Sequence, residues 1–147
     1  IRDLFAGVGV HVKHAGPTNA EGIAETTRLL GEVPSGLIFV NLVETDQVYG
    51  HRHDVAGFER ALVEIDTAVA TWLTLLRADD LLILTADHGV DPTAAHTDHT
   101  REYAPLLAMY AGCVGRRHDG LLADVGATML AWITGRRAPA LPGDPFV

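Results

Sequence analysis

The run Leu81-Leu82-Ile83-Leu84-Thr85-Ala86-Asp87-His88-Gly89 constrains this chain more than any other stretch. Five apolar or β-branched residues lead straight into an Asp-His pair and a glycine, which predicts a fully buried strand delivering two ligand-type side chains at its carboxyl end. Open α/β sheets place their chemistry at such strand ends. The same residue types recur twice more: downstream in Thr97-Asp98-His99-Thr100-Arg101-Glu102, and upstream as Asp46 with His51. Asp and His gathered in three separate places are the functional signal.

A second apolar run, residues 37–43, also leads into acidic and imidazole side chains, Glu44, Asp46, His51 and His53, and reads as a second buried strand. Between the two runs Asp54 suits the N-cap of the longest helix. Val55, Phe58, Leu62, Ile65, Val69, Trp72 and Leu76 recur in it at spacings of three and four and line one face. That pattern is too short for a coiled coil, and a strand follows it, so packing on a sheet is expected. Strand, helix and strand then make a right-handed β-α-β crossover with parallel strands, whose carboxyl ends bring Asp46 and His51 to one edge with Asp87 and His88. The expected fold is therefore α/β, with a mostly parallel sheet between helices.

The flanking segments fit around this unit. Residues 1–9 read as a strand running into a turn; the chain opens on Ile1 with no cap before it, so residues are expected in front. Thr18 and Glu21 have capping-box spacing ahead of a helix edged by Ile23, Thr27 and Leu30 and closed by Gly31. Residues 91–102 are polar and irregular and read as a loop crossing the active edge, and residues 105–110 as a further strand. Asp119 is expected to cap a last helix with Leu122, Val125, Met129 and Ile133 on one face, stopped by Gly135 before a tail containing Pro139, Pro142 and Pro145.

Composition narrows the partners. With 147 residues, 48% of them hydrophobic, the chain is one domain's worth and can bury a core. Eleven basic against nineteen acidic residues give a formal net charge of -8, with no basic run to track a phosphate backbone, so nucleic acid is not an expected partner. The same negative balance repels a phosphorylated substrate unless bound cations reverse the sign locally, which is a reason to look for metals. A single cysteine, Cys113, excludes an internal disulfide and suits a reducing cytosol. No apolar run approaches the ~20 residues of a membrane span.

Carboxylate oxygens and imidazole nitrogens together suit borderline divalent ions such as Zn²⁺ or Mn²⁺ better than ions that prefer all-oxygen shells. Asp46, His51 and His99 are expected to make one three-ligand site with open positions, and Asp87 with His88 half of a second. Two ions about 3.5–4 Å apart would clamp the attacking and leaving oxygens of an in-line phosphoryl transfer. The remaining histidines are weaker candidates. His11, His14, His96 and His118 read as surface groups or as supports outside a ligand set, with His96 the nearest to the site because it precedes His99 by three. His53 either supports a ligand or is solvated beside the Asp54 cap. Asp98 either orients a ligand imidazole or holds its loop. Arg101 either grips a phosphate or is an ordinary surface charge. Gly7/Gly9 and Gly112/Gly115 lack the rest of a dinucleotide fingerprint and read as turns.

Taken together, Phe39-Val40-Asn41-Leu42-Val43 with Asp46, Tyr49-Gly50-His51-Arg52 and Asp54-Val55-Ala56-Gly57-Phe58 resemble the corresponding block of the phosphopentomutases. Residues 82–89, Asp91-Pro92-Thr93 and Thr97-Asp98-His99-Thr100-Arg101-Glu102-Tyr103 continue the resemblance, and Asp3 to Gly9 and Ala123 to Thr128 extend it over essentially the whole chain. The resemblance implies an alkaline-phosphatase-like core, two Mn²⁺ ions, and interconversion of ribose 1-phosphate (or its 2-deoxy analogue) with the 5-phosphate. Carried over, Asp46, His51 and His99 would hold one ion and Asp87 and His88 the other. In that family an Asp near the N-terminus and a phosphorylated Thr complete the second ion, and a cap domain interrupts the core. None of these is matched within residues 1–147, which correspond to the C-terminal segment of the core. Thr85 lies inside the predicted strand and Thr97 does not match the nucleophile motif, so neither takes that role. Glu44-Thr45 stands where the family usually has Asp-Phe, and His53 where Arg or Asn is common. The competing readings are another two-metal phosphatase or mutase of the same superfamily, and a metal-binding module without catalysis.

Overall fold

The structure, a computed structural model, describes residues 2–147. Its elements, in chain order, are α1 (Asn19–Glu32), a six-residue π-helical turn (Thr45–Gly50), α2 (Val55–Leu75), β1 (Leu81–Thr85), β2 (Leu106–Tyr110) and α3 (Ala123–Thr134). The chain divides into two compact units, one made of Ile1–Leu75 with Val90–Arg101 and the other of Leu76–Gly89 with Glu102–Val147. No helix among the described residues is long and apolar enough to cross a membrane.

In the first unit, α1 begins where its capping box predicts. Thr18 Oγ1 accepts from the Glu21 amide at 3.2 Å, and the Glu21 carboxylate accepts from the Thr18 amide at 3.1 Å, so two of the otherwise unpaired N–H groups at the helix start are satisfied. Asp54 starts α2 in the same way, accepting from the Gly57 amide at 2.9 Å. The two helices pack together, and the Trp72 indole, 3% exposed, crosses between them to donate to Thr27 Oγ1 at 2.9 Å. The stripe α2 buries is Gly57, Ala61, Ala68 and Trp72. The large-residue face read from sequence is partly this one: Trp72 is buried and Phe58, Ile65 and Val69 are half-buried beside the stripe, whereas Val55 and Leu62 are exposed. The reason is closeness, because a glycine and two alanines let α2 approach its neighbours, whereas bulky side chains would hold it away.

Two expectations for this unit are corrected. Residues 37–43 form no strand, and Leu37, Phe39 and Val40 are exposed. Apolar, β-branched composition permits a strand, but only a hydrogen-bonded neighbour makes one, and none of the described residues pairs with this segment. Hence the β-α-β crossover is not formed. Of the strand-to-turn passage expected over residues 1–9, Ile1 lies outside the described residues, and residues 2–9 are successive turns closed by bonds such as Gly7 N–H to Arg2 C=O at 3.0 Å.

In the second unit, β1 and β2 pair antiparallel in the register Leu81↔Tyr110 through Thr85↔Leu106, the one sheet among the described residues. The fold is thus α/β, but this sheet is antiparallel where a mostly parallel one was expected. A two-stranded ribbon leaves both its strands as edges, so β1 is half-buried and not the fully buried strand its composition suggested. The Trp132 indole donates to the Asp79 carbonyl at 2.9 Å and its ring lies 5.5 Å from that of Tyr110, which ties α3 to the end of the ribbon where β1 starts and β2 finishes.

The last helix ends as predicted at Gly135, in the left-handed region with φ 66°. Its start is different. Asp119 pairs with Arg117 instead of capping, and the first-turn residue Asp124 accepts from the Leu121 amide at 3.1 Å. The fully inward positions of α3 are polar, Asp124 and Thr128, one helical turn apart, while Leu122 and Ile133 of the predicted apolar face are exposed. Both polar side chains hold the Pro-rich tail: Asp144 N–H donates to Asp124 Oδ1 at 2.9 Å and Phe146 N–H to Thr128 Oγ1 at 3.1 Å. His118 Nε2 meets the other Asp124 oxygen at 2.8 Å, and its ring packs on Phe146 with centroids 4.9 Å apart.

Two outcomes follow from these contacts. Thr27→Val leaves the buried Trp72 N–H without an acceptor and should lower unfolding stability by about 1–3 kcal/mol in urea titrations, against about 3–5 kcal/mol for Trp72→Ala. The Asp144 amide, followed by His118 and the Leu121 amide, holds the Asp124 carboxyl below its ordinary value of 3.8. Its contribution is therefore present above that value and lost as pH falls through the lower folded one. The NMR shift of the Asp144 amide should titrate with a midpoint below 3.8, and a midpoint at or above it would contradict the tail contact.

Candidate metal site

Within the first unit, the π-helical turn solves a spacing problem. Asp46 and His51 are five residues apart, and on an α-helix, at 3.6 residues per turn, their side chains would diverge by about 140°. Here the His51 amide donates to the Asp46 carbonyl at 3.0 Å, an i→i+5 bond that widens the turn and brings the two side chains back into phase. The imidazole Nε2 of His51 lies 3.3 Å from Asp46 Oδ1, and that of His99 lies 3.7 Å from the same oxygen. The two rings are 5.0 Å apart, centre to centre. The three residues read as one ligand set from the sequence thus come together around one carboxylate.

The loop that carries His99 is held by the same turn. Gly50 is buried, and a β-carbon there would stand 2.7 Å from a methyl of Val90, where the loop segment begins; only glycine allows this approach. His51 Nδ1 meets the Thr97 carbonyl, and His53 Nδ1 meets the Pro92 carbonyl at 3.2 Å. A carbonyl oxygen can only accept, so both Nδ1 atoms carry a proton, and the Nε2 of His51 is the ring atom turned to Asp46. His53 adopts a left-handed conformation, φ 56°, to make its contact. His53 is exposed apart from this one contact to the loop, where the sequence left it between supporting a ligand and being solvated. Asp91 closes the first turn of the loop by accepting from the amide and hydroxyl of Thr93 at 2.8 and 2.7 Å, which holds its carboxyl below the usual range.

Chemically, this set fits a divalent cation. Asp46 Oδ1 is buried and accepts no hydrogen bond. A buried carboxylate oxygen without a partner is strongly unfavourable, and facing two imidazole nitrogens it has the donor composition of a borderline metal. The second unit holds the other pair. Asp87 and His88 follow β1 directly, with His88 Nε2 3.6 Å from Asp87 Oδ1, His88 Nδ1 3.1 Å from the Gly89 carbonyl, and the Asp87 carboxylate largely exposed.

The other candidates fall elsewhere. Asp98, His96 and Arg101 are exposed, and His11 likewise. His14 pairs with Glu25 on α1, which together with Arg28 pulls the Glu25 carboxyl down to about 2, Arg28 contributing most. His118, half-exposed, makes the tail contact with Asp124. Sequence reasoning missed two supporting groups, Asn19 and Glu44, because their pairing spans 25 residues and no local pattern marks it.

The comparisons with known proteins agree with this donor chemistry. The chain is 46% identical over 132 residues to the phosphopentomutase of Caldanaerobacter subterraneus subsp. tengcongensis, covering 88% of this chain and 34% of that protein. It is 41% identical to that of Pseudoalteromonas translucida, over 100% of this chain and 36% of the relative, and 44% identical to that of an Anaeromyxobacter species, over 91% and 39%. The chain thus spans little more than a third of the length of the curated relatives it matches. The sequence pattern of the Metalloenzyme superfamily matches residues 5–135, nearly the whole chain, and the chain belongs to that superfamily.

Proposed function

We propose that this chain is the C-terminal segment of the metal-binding core of a phosphopentomutase. The complete enzyme would interconvert ribose 1-phosphate, or 2-deoxyribose 1-phosphate, with the 5-phosphate in a reducing cytosol. The observation that carries the reading is the convergence of Asp46, His51 and His99 in a chain 46% identical to a phosphopentomutase. In this reading those three residues hold one divalent ion, Mn²⁺ or Zn²⁺, and Asp87 and His88 contribute to a second. When bound, the ions would supply Lewis-acid polarisation and neutralise the charge that builds up on phosphoryl oxygens. A threonine outside residues 1–147, already carrying a phosphoryl group, would transfer it to the free hydroxyl of the pentose phosphate to give a bisphosphate, and would then take back the phosphoryl group from the other position, which regenerates the phosphothreonine and releases the isomer.

What the chain's own residues contribute is placement and sign of charge. The Thr97 carbonyl accepts from Nδ1 of His51, so Nε2 is the ring atom left to donate to an ion. The Pro92–His53 contact holds the start of the loop whose far end presents His99. With a net charge of -8, the chain needs a local positive centre to admit a sugar phosphate, and a cation held by only one carboxylate and two neutral imidazoles keeps most of its charge.

In the intact protein, His99→Ala should lower metal occupancy and mutase turnover together, occupancy being read by elemental analysis and turnover by conversion of ribose 1-phosphate to the 5-phosphate. Unchanged occupancy would remove His99 from the ligand set. His118→Ala, by contrast, loosens the tail and lowers thermal stability while leaving occupancy unchanged. Release of inorganic phosphate without isomerisation would replace the mutase reading with a phosphatase of the same superfamily.

A further inference from the structure

We infer that Asn19 and Glu44 form a clasp that positions the turn carrying Asp46 and His51, so that the first residue of α1 acts as a positioning residue for the metal site. The inference rests on the proposed ligand role of Asp46, His51 and His99 and extends it to residues outside the ligand set.

The clasp is reciprocal. The Asn19 backbone amide donates to Glu44 Oε2 at 2.5 Å, and the Glu44 backbone amide donates to Asn19 Oδ1 at 3.1 Å. Each residue gives its main chain to the other's side chain, which fixes both the distance and the twist between the helix start and the strand of chain at residue 44. The arrangement assigns the Asn19 amide uniquely, because the Glu44 N–H requires an oxygen opposite it. Asn19 is 3% exposed and its Nδ2 has no hydrogen-bond partner. A buried amide that leaves half its capacity unused is unfavourable, so the bond to Glu44 is made at the expense of that group. The Glu44 carboxylate, moreover, lies against the N-terminus of a fourteen-residue helix, where the helix dipole favours a negative charge.

The lever is short. Glu44 is the cap of the π-helical turn, and Asp46 follows it by two residues. Thr45 Oγ1 donates to the Leu42 carbonyl at 2.9 Å and the Gln47 amide to the Val43 carbonyl at 2.9 Å, so rotation at residue 44 is passed into the turn. Beside the clasp, a Gly22 β-carbon would stand 2.8 Å from a Leu42 methyl, and the missing side chain lets the segment seat directly on α1. Since residues 37–43 have no strand neighbour among the described residues, these contacts are what define the approach to Asp46.

The test is a titration of Mn²⁺ into the intact protein, with the free aquo ion read by EPR, and unfolding of the metal-free protein measured alongside. Asn19→Ala and Glu44→Ala should each weaken the site that His99→Ala removes by roughly tenfold to a hundredfold. The double variant should be no weaker than the worse single one, because the two groups act as a unit. Glu44→Gln, which keeps an oxygen for the Asn19 amide, should restore affinity close to that of the parent. If Asn19→Ala does not fold, Asn19→Ser, with a shorter side chain, takes its place in the cycle. Parent-like affinity accompanied only by lower thermal stability would overturn the clasp, as would additive losses in the double variant. If His99→Ala itself leaves Mn²⁺ binding unchanged, the ligand reading fails and the clasp fails with it. Loss with His99→Ala but not with Asn19→Ala overturns the clasp alone.

Discussion

A buried carboxylate oxygen with no hydrogen bond is the constraint around which the first unit is arranged. Asp46 Oδ1, covered although the side chain is partly exposed, faces the Nε2 atoms of His51 and His99 and accepts no hydrogen bond. One carboxylate oxygen facing two imidazole nitrogens has the donor composition that suits a divalent cation. The surrounding polar contacts make sense as the scaffold for that arrangement. The His51 ring is fixed by the Thr97 carbonyl, the loop is pinned by His53 at Pro92, and the entry to the turn is tied to α1 by Asn19 and Glu44. Each acts on backbone or tautomer, so Asp46 and His51 are held in place by the protein's own contacts.

The second unit uses buried polarity for a different purpose. Asp124 and Thr128 occupy the inward face of α3, where an apolar pair would be expected, and spend their acceptors on two backbone amides of the tail. A Pro-rich segment has few amides to offer, so docking it requires acceptors that reach those it has. His118 and Phe146 close the contact from the other side. This explains why the helix is not capped by Asp119: the carboxylate that satisfies the helix start must also hold Asp144, and only a first-turn residue is placed for both.

Local rules were reliable where the deciding interactions were local. The capping box of α1, the Asp54 cap of α2 and the end of α3 at Gly135 all depend on residues within four positions of one another. On α2 the periodicity of large side chains marks the side that packs, through Phe58, Ile65, Val69 and Trp72, but not Gly57, Ala61 and Ala68 at its closest approach, because periodicity says which residues are apolar and not how close the partner comes. Residues 37–43 were misjudged because a strand is a relation between two segments, and composition describes one.

The sequence by itself determined the chemistry: which side chains, Asp46, His51, Asp87, His88 and His99, have the donor types for a divalent ion, and that the chain belongs with metalloenzymes, since donor type is a property of the residue and survives any fold. Only the tertiary structure decided which of them meet and how. The i→i+5 turn that realigns Asp46 with His51, the 25-residue clasp, and the loop bonds at Pro92 and Thr97 are long-range or non-standard backbone arrangements with no local signature. They arise because a buried polar atom takes whatever partner the folded chain brings within reach, and that choice is made by packing, not by the residue.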